Sequence, residues 1–538
     1  MERKHKKILF ILIILICFFC IIQIKVVDLK KLYVVFIKLQ KGENIKTLLQ
    51  NYDIEELLYR IKEYIGIVIY IYTICIAILI FLDNKNPSKT IAWLLVLVLI
   101  PIVGFIIYLF MGRNIRKKNI FKRKKQLDFP YFKQAADIQR EAMKHSKLFE
   151  DDESLVKRRL ITLMINNANA PFTINNHLKV LTNGEETFHA IIEELEKAKN
   201  HIHFEYFIIK DDEIGKIIKN VLMKKAREGV EVRVMYDGVG SWKLSKKYLG
   251  EMRASGVDIQ IFLPVYFPVL SRELNYRNHR KIIVIDGGVG FLGGLNIGDE
   301  YLGRDQNLGF WRDSHLKIEG EAVYGLQNIF QRDWLFVTKK MIPFSKDYYP
   351  KLVYCGEQLI QIASSGPDSD WESIMQGYFC IISSAEERIW INTPYLVPGE
   401  SIMTALKTAA LSGVDVRIIL PNKPDHKTVF WATMSNIEEL LEAGVRVYQY
   451  TKGFIHAKIL LVDGIAASVG TANLDIRSFQ INFEVNAFIY DKEVVARMEE
   501  NFILDIEDSR EIHLEAYKNR PFIEKVKEST GRLFSPLL

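Results

Sequence analysis

The sequence predicts an α/β protein of two duplicated domains around a shared cleft, preceded by N-terminal transmembrane helices. Three features of its 538 residues predict this. Long apolar runs stand near the start, strand-like runs alternate with amphipathic helical patterns from about Asp151, and the alternating part repeats itself once. With 49% hydrophobic and 25% charged residues the chain can bury large cores, which excludes a disordered or fibrous protein. Cys17, Cys20 and Cys75 lie in apolar runs, and Cys355 and Cys380 stand far apart. Neither a disulfide framework nor a thiol-bound zinc is expected, and the count suits a reducing compartment.

The first three elements are the apolar runs Ile8–Ile24, Ile65–Leu82 and Ile91–Met111. The second and third contain no charge and hold 18 and 21 residues, close to the roughly 20 that a helix needs to cross a bilayer. Asn84, Asn86 and Pro87 form a turn between them, so a membrane hairpin is expected over 65–112. Segment 1–64 holds the first run and a linker. Eight Lys or Arg and no acid follow between Arg113 and Lys125, within a juxtamembrane linker over 113–150. Without those eight charges the net +7 becomes −1, which argues against a nucleic-acid surface spread over the protein. Basic residues beside a membrane segment favour the cytoplasmic side, placing the catalytic domains of a multi-pass cell-membrane protein in the cytoplasm. Arg3, Lys4, Lys6 and Lys7 oppose that placement, because three crossings from an inside start end outside.

The repeat defines domains over 151–345 and 346–538. Ala226–Asp237 (AREGVEVRVMYD) matches Ala410–Pro421 (ALSGVDVRIILP), and Ser255–Pro264 matches Ala443–Lys452. His279–Gly287 (HRKIIVIDG) matches His456–Gly464 (HAKILLVDG), and Gly293–Asn296 matches Gly470–Asn473. The offsets, 184, 188, 177 and 177 residues, keep their order along the chain. Duplicated units can pack around a pseudo-two-fold axis and bring both copies of a motif to one cleft.

Each copy holds H-x-K-x-x-x-x-D: His279, Lys281 and Asp286, then His456, Lys458 and Asp463. The residues between Lys and Asp are apolar, so the motif is placed on a buried strand, and alternation sets His and Lys on one face. Lysines suit a phosphate anion, and Asn296 and Asn473, after Gly-rich turns, can add amide donors. One imidazole can attack phosphorus while the other, protonated, donates to the departing oxygen. These residues specify phosphodiester transfer and leave the acceptor open. No metal-ligand motif accompanies them, so no metal or cofactor is expected. His201 and His203 are read as strand residues beside the cleft. Phe204, Tyr206, Tyr395, Trp311 and Trp431 are candidates for its apolar rim.

Duplicated H-x-K-x-x-x-x-D followed by GGLN and GTAN resembles the phospholipase D superfamily. NHRKIIVIDGGVGFLGGLNIGDEYLG, WRDSHLKIEG, FIHAKILLVDG, SVGTANLDIRSF and NFEVNAF are similar to the bacterial cardiolipin synthases, as is NPSKTIAWLLVLVLIPIVGFIIYLFMGRN in the hairpin. The resemblance runs from about Leu82 to the C-terminus; the extra run Ile8–Ile24 departs from it. It implies two phospholipase D-like domains. It implies, too, that one phosphatidylglycerol forms a phosphatidyl-histidine, glycerol leaves, and a second phosphatidylglycerol accepts the group to give cardiolipin; the near-neutral body, lacking a basic groove, argues against a nucleic-acid partner. By analogy His279 is the nucleophile and His456 the general acid, then base, roles that the near-symmetry allows to be exchanged. Glu484 matches the carboxylate that orients a catalytic histidine, with Asp313 as a weaker counterpart. Asp286 and Asp463 complete the motif and count with it among the catalytic residues, but their opposite strand parity suits structure more than chemistry.

Overall fold

Pro87 has a fixed φ and no amide hydrogen, both suited to a helix's first turn, and a helix starts there. The computed structural model describes residues 54–83, 87–100, 130–145, 152–264 and 275–535, with positions 37, 104 and 108. Two units are separated, Met1–Asn119 and Ile120–Leu538.

In the first unit the run Ile65–Leu82 lies within a helix, Ile54–Asp83, and the run Ile91–Met111 begins in a second, Pro87–Leu99. Ile76 and Ile80 of the first helix, Leu97 of the second and Tyr108 share one apolar cluster, with Trp93 edge-on to Tyr108 at 5.2 Å. Among the described residues no helix is long and apolar enough to cross a membrane. The run Ile8–Ile24 and the basic stretch Arg113–Lys125 lie outside the described residues.

Among the described residues the second unit holds two large sheets and two short parallel pairs of strands. The chain forms β1 (Phe172–Thr173), β2 (Asn176–Thr182), β3 (His201–Tyr206), β4 (Glu231–Asp237), β5 (Asp258–Phe262), β6 (Ile282–Ile285), β7 (Val289–Gly293), β8 (Phe310–Arg312) and β9 (Ser314–Gly320). It continues with β10 (Ile360–Ser365), β11 (Arg388–Asn392), β12 (Leu396–Val397), β13 (Asp415–Pro421), β14 (Arg446–Tyr450), β15 (Gly453–Ile455) and β16 (Ile459–Val462). The last strands are β17 (Ala466–Gly470), β18 (Leu474–Asp475), β19 (Glu484–Ile489) and β20 (Ser509–Ile512). The first sheet runs β2-β9-β7-β6-β3-β4-β5, and the second runs β10-β19-β17-β16-β11-β13-β14, with β1 and β20 added at its edges; the short pairs are β12 with β18 and β8 with β15. Strand for strand the seven-stranded order is the same, so the repeat read from the sequence is a repeat of structure.

β3, β4 and β5 are parallel, as are β11, β13 and β14, and such strands are covered on both faces. One face of the first sheet meets helices through Phe188, Ile191, Ile218 and Met252, and one face of the second through Ile374, Ile381, Ile402 and Leu406. The remaining faces share a core: Ile282, Val284, Leu316 and Ile318 pack with Ile459, Leu461, Val485 and Ala487. Helix Asp152–Ala168 and β1 join the second sheet's core, although the chain reaches them before the first sheet begins. β6 pairs antiparallel with β3 so that Ile282 lies opposite Glu205, and β16 with β11 so that Ile459 lies opposite Asn392. The residues just before β6 and β16 therefore stand at the C-terminal ends of the parallel strands.

Candidate active site

His279 and Lys281 precede β6, and His456 and Lys458 precede β16, in extended segments that cross to the other lobe. The amide of His279 donates to the Phe483 carbonyl (2.9 Å) and that of His456 to the Arg312 carbonyl (2.7 Å). β8 and β15 continue this exchange as a parallel pair, matched in the other direction by a bridge between Asn278 and Phe483. Each histidine thus arrives beside the start of a strand of the opposite lobe, His279 at β19 and His456 at β9.

There each finds a carboxylate. His279 Nδ1 lies 2.9 Å from Glu484 Oε2 and 3.1 Å from the Thr471 carbonyl oxygen. His456 Nδ1 lies 2.9 Å from Asp313 Oδ2. Gly293 pairs with His315 and Gly470 with Asn486, so Asp313 and Glu484 each stand two residues before the partner of the equivalent glycine. They are equivalent positions, and Asp313 is a full counterpart of Glu484 rather than the weaker one expected. Glycine is needed beside both: a Cβ on Gly294 would stand 2.2 Å from Asp313 Oδ1, and one on Gly470 2.4 Å from the Val485 carbonyl oxygen.

Both carboxylates are fully buried, as is Lys281, while each histidine keeps 8% exposure. Burial pushes Glu484 up, but His279, Lys281 and the Thr471 hydroxyl (2.6 Å) hold it below the ordinary range. Asp313 is likewise held low by Lys458 and His456 against its burial. Burial lowers the histidines to about 4, against the pull of their carboxylates, and nearby lysines add to the effect. Burial also depresses Lys281 to about 7 and Lys458 to about 8, with the carboxylates opposing it. Near neutral pH two neutral imidazoles stand among two carboxylates and two lysines.

The two imidazoles differ. Both neighbours of His279 Nδ1 are acceptors, so Nδ1 carries the proton and Nε2 keeps its lone pair. His456 Nδ1 faces Asp313 and also Lys458 Nζ at 2.9 Å, a donor. The lysines are anchored by their own motif: Lys281 Nζ donates to the His279 carbonyl (2.6 Å) and Lys458 Nζ to that of His456 (2.5 Å). Phe207 packs edge-on to His279 at 5.0 Å, and Trp311 lies 5.2 Å from His456.

Asp286 and Asp463 stand apart from this cluster, as their opposite strand parity leads us to expect. Asp286 accepts from the amides of Lys199, Asn200 and His201 (2.8–2.9 Å), at the start of β3 and the far end of β6 from His279. Asp463 does the same with Glu386, Glu387 and Arg388. Each sits at φ 51° or 53° and staples a turn. The asparagines are not equivalent either. Asn296 accepts from the Ile208 amide (3.1 Å) and donates to the Tyr301 hydroxyl (2.9 Å), whereas Asn473 Oδ1 has no partner among the described residues.

His201 and His203 lie in β3 facing helix Val323–Thr338, where His203 bonds Gln327 (3.0 Å) and stacks on Phe330 at 4.4 Å. Phe204 and Tyr206 are core, and Trp431 sits apart beside the C-terminal helix. Of the five aromatic candidates only Trp311 touches a motif histidine. The positioning network behind the site carried no motif signal. Arg280 pairs with Asp333 and donates to the Glu484 carbonyl (3.2 Å), and Arg312 pairs with Asp505 at 2.6 Å. Among the described residues no group of three His, Cys, Asp or Glu is arranged as a metal-ligand set.

A family model described as cardiolipin synthase, PLD-like domain, matches residues 191–334 and 378–506, and one described as phospholipase D-nuclease N-terminal matches residues 64–113. A cardiolipin synthase of Geobacillus sp. (strain WCH70) is 50% identical over 86% of this chain and 91% of its own. One of Staphylococcus aureus (strain Mu50) is 45% identical over 86% and 93%. In fold, the chain is similar to the phosphatidylserine synthase of Haemophilus influenzae, at TM-score 0.52 and 17% identity, over 71% of this chain and 96% of that one.

Proposed function

Because the chain belongs to the cardiolipin synthase family, with its phospholipase D-like domains, we propose that it transfers a phosphatidyl group from one phosphatidylglycerol to another, giving cardiolipin and glycerol. The observation that carries this reading is the crossed pairing of two histidines with two carboxylates, each histidine from one lobe and its carboxylate from the other. Lys281 and Lys458 hold the non-bridging oxygens of the phosphodiester. His279 Nε2 attacks phosphorus, the bond to glycerol oxygen breaks, and His456 gives that oxygen its proton. A hydroxyl of the second phosphatidylglycerol then loses its proton to His456 and attacks phosphorus, and the nitrogen–phosphorus bond breaks. Nothing is consumed beyond the two lipids.

The difference between the imidazoles supports these roles. His279, faced only by acceptors, presents a lone pair. His456, lowered by burial, gains its proton as the phosphodiester charge arrives, with Asp313 holding the resulting imidazolium. Asn473 serves as a further donor to the phosphate, and Asn296 supports the loop through Tyr301.

The helices Ile54–Asp83 and Pro87–Leu99 present Tyr70, Phe81, Leu95 and Leu99 outward, an apolar surface suited to lipid. We read them, extended by the apolar residues to Met111, as a membrane-spanning hairpin, with the catalytic lobes cytoplasmic beside the basic stretch. Incubating detergent-purified protein with phosphatidylglycerol alone, in chelator, tests the reaction. Cardiolipin with released glycerol is expected; phosphatidic acid would make water the acceptor and the protein a hydrolase.

A further inference from the structure

The C-terminal helix, Phe522–Phe534, is mounted with its apolar side out. At about 100° per residue, Phe522, Val526 and Leu533 fall within roughly 40° of one another, with Ile523 and Phe534 on the adjoining arc. Phe522 is 80% exposed, Leu533 81%, Ile523 58% and Phe534 48%. The opposite side fastens the helix to the body. Gly531 lies so close to helix Lys427–Met434 that a Cβ would stand 2.5 Å from the Ala432 nitrogen. Glu528 is buried between Arg520 (2.7 Å) and the Tyr517 hydroxyl (3.1 Å). A helix packed for a water-facing role does the reverse, burying its apolar stripe.

Charge decides what covers the outward face. Lys525 and Arg532 stand on one side of the apolar arc and Lys527 on the other, and the arc itself carries no acid. Glu524, on the inward side, is paired with Lys527 at 2.7 Å. Apolar side chains flanked by basic ones match an anionic lipid surface, with the apolar face entering the headgroup boundary and the cations meeting phosphates. A second copy of the same face would set lysine against lysine. Position agrees: helix Lys427–Met434 follows the C-terminal end of β13, the end of the sheet where His456 stands.

We propose that this helix is a docking surface for the anionic bilayer, holding the open end of the cleft against the membrane. The test labels the full chain at Leu533→Cys with an environment-sensitive fluorophore, the five native cysteines replaced by serine, in vesicles whose acyl chains carry bromine. In phosphatidylglycerol-rich vesicles the emission should shift to the blue and lose at least half its intensity to the bromine, and high salt should weaken the quenching. Emission as in water, unquenched, would overturn the proposal. So would a blue shift that is unquenched and grows with protein concentration, which would assign the face to a second copy.

Discussion

Two bonds organise the residue scale, one from each histidine to the other lobe's carboxylate. If Glu484 and Asp313 are equivalent, Glu484→Gln and Asp313→Asn should each lower kcat by about 10–100-fold, to within a few-fold of one another. Steady-state assays check this, and a silent variant on either side would break the equivalence. If the lysines hold the phosphate, they set the alkaline limit. A depressed pKa means the charge is lost earlier than in a free lysine, so kcat/KM should fall as pH rises through about 7 to 8, and again below about 4 as the imidazoles protonate. A profile flat from 6 to 10 would show that the ammonium charges do not bind the phosphate. The motif residues were legible because they occur twice in matching context. Which carboxylate serves which histidine was not, because that pairing lies between segments about 140 to 200 residues apart and emerges only from strand register.

Within the elements, the apolar residues of both motifs form β6 and β16, while the histidines and lysines stand just before them, where a strand end opens to the cleft. The aspartates after those strands belong to turns. Asp286→Ala strands three backbone amides and should cost about 1–3 kcal/mol of stability, leaving turnover per folded molecule nearly unchanged. Thermal melting beside an activity assay separates the two effects. Gly294→Ala does the opposite: its Cβ would displace the Asp313 carboxylate, so activity should fall more than tenfold, with a smaller change in melting. Alternation and turn residues made the strands readable. Alternation also sets each Asp on the face opposite its Lys, but does not show that it closes a turn, since spacing on a strand says nothing about where the strand ends.

At the scale of the whole molecule the duplication is functional as well as structural. The offsets in the sequence showed two units, and the identical seven-strand order confirms them. Their dependence on each other was hidden, because a shared core and crossed segments are properties of the assembled pair. Either lobe alone would expose the face built from Ile282, Leu316, Ile459 and Val485 and hold a histidine without its carboxylate. Separately produced lobes should therefore be inactive and prone to aggregate, as size-exclusion chromatography and a transfer assay would show. The central claim is that His279 carries the phosphatidyl group while His456 moves the proton. Acid-quenching the His456→Ala protein after brief exposure to phosphatidylglycerol labelled in its phosphate, then mapping the label by peptide, tests it most directly. The account predicts phosphate label on the peptide containing His279 and none after His279→Ala; label retained in the His279→Ala protein, on the peptide containing His456, would contradict it.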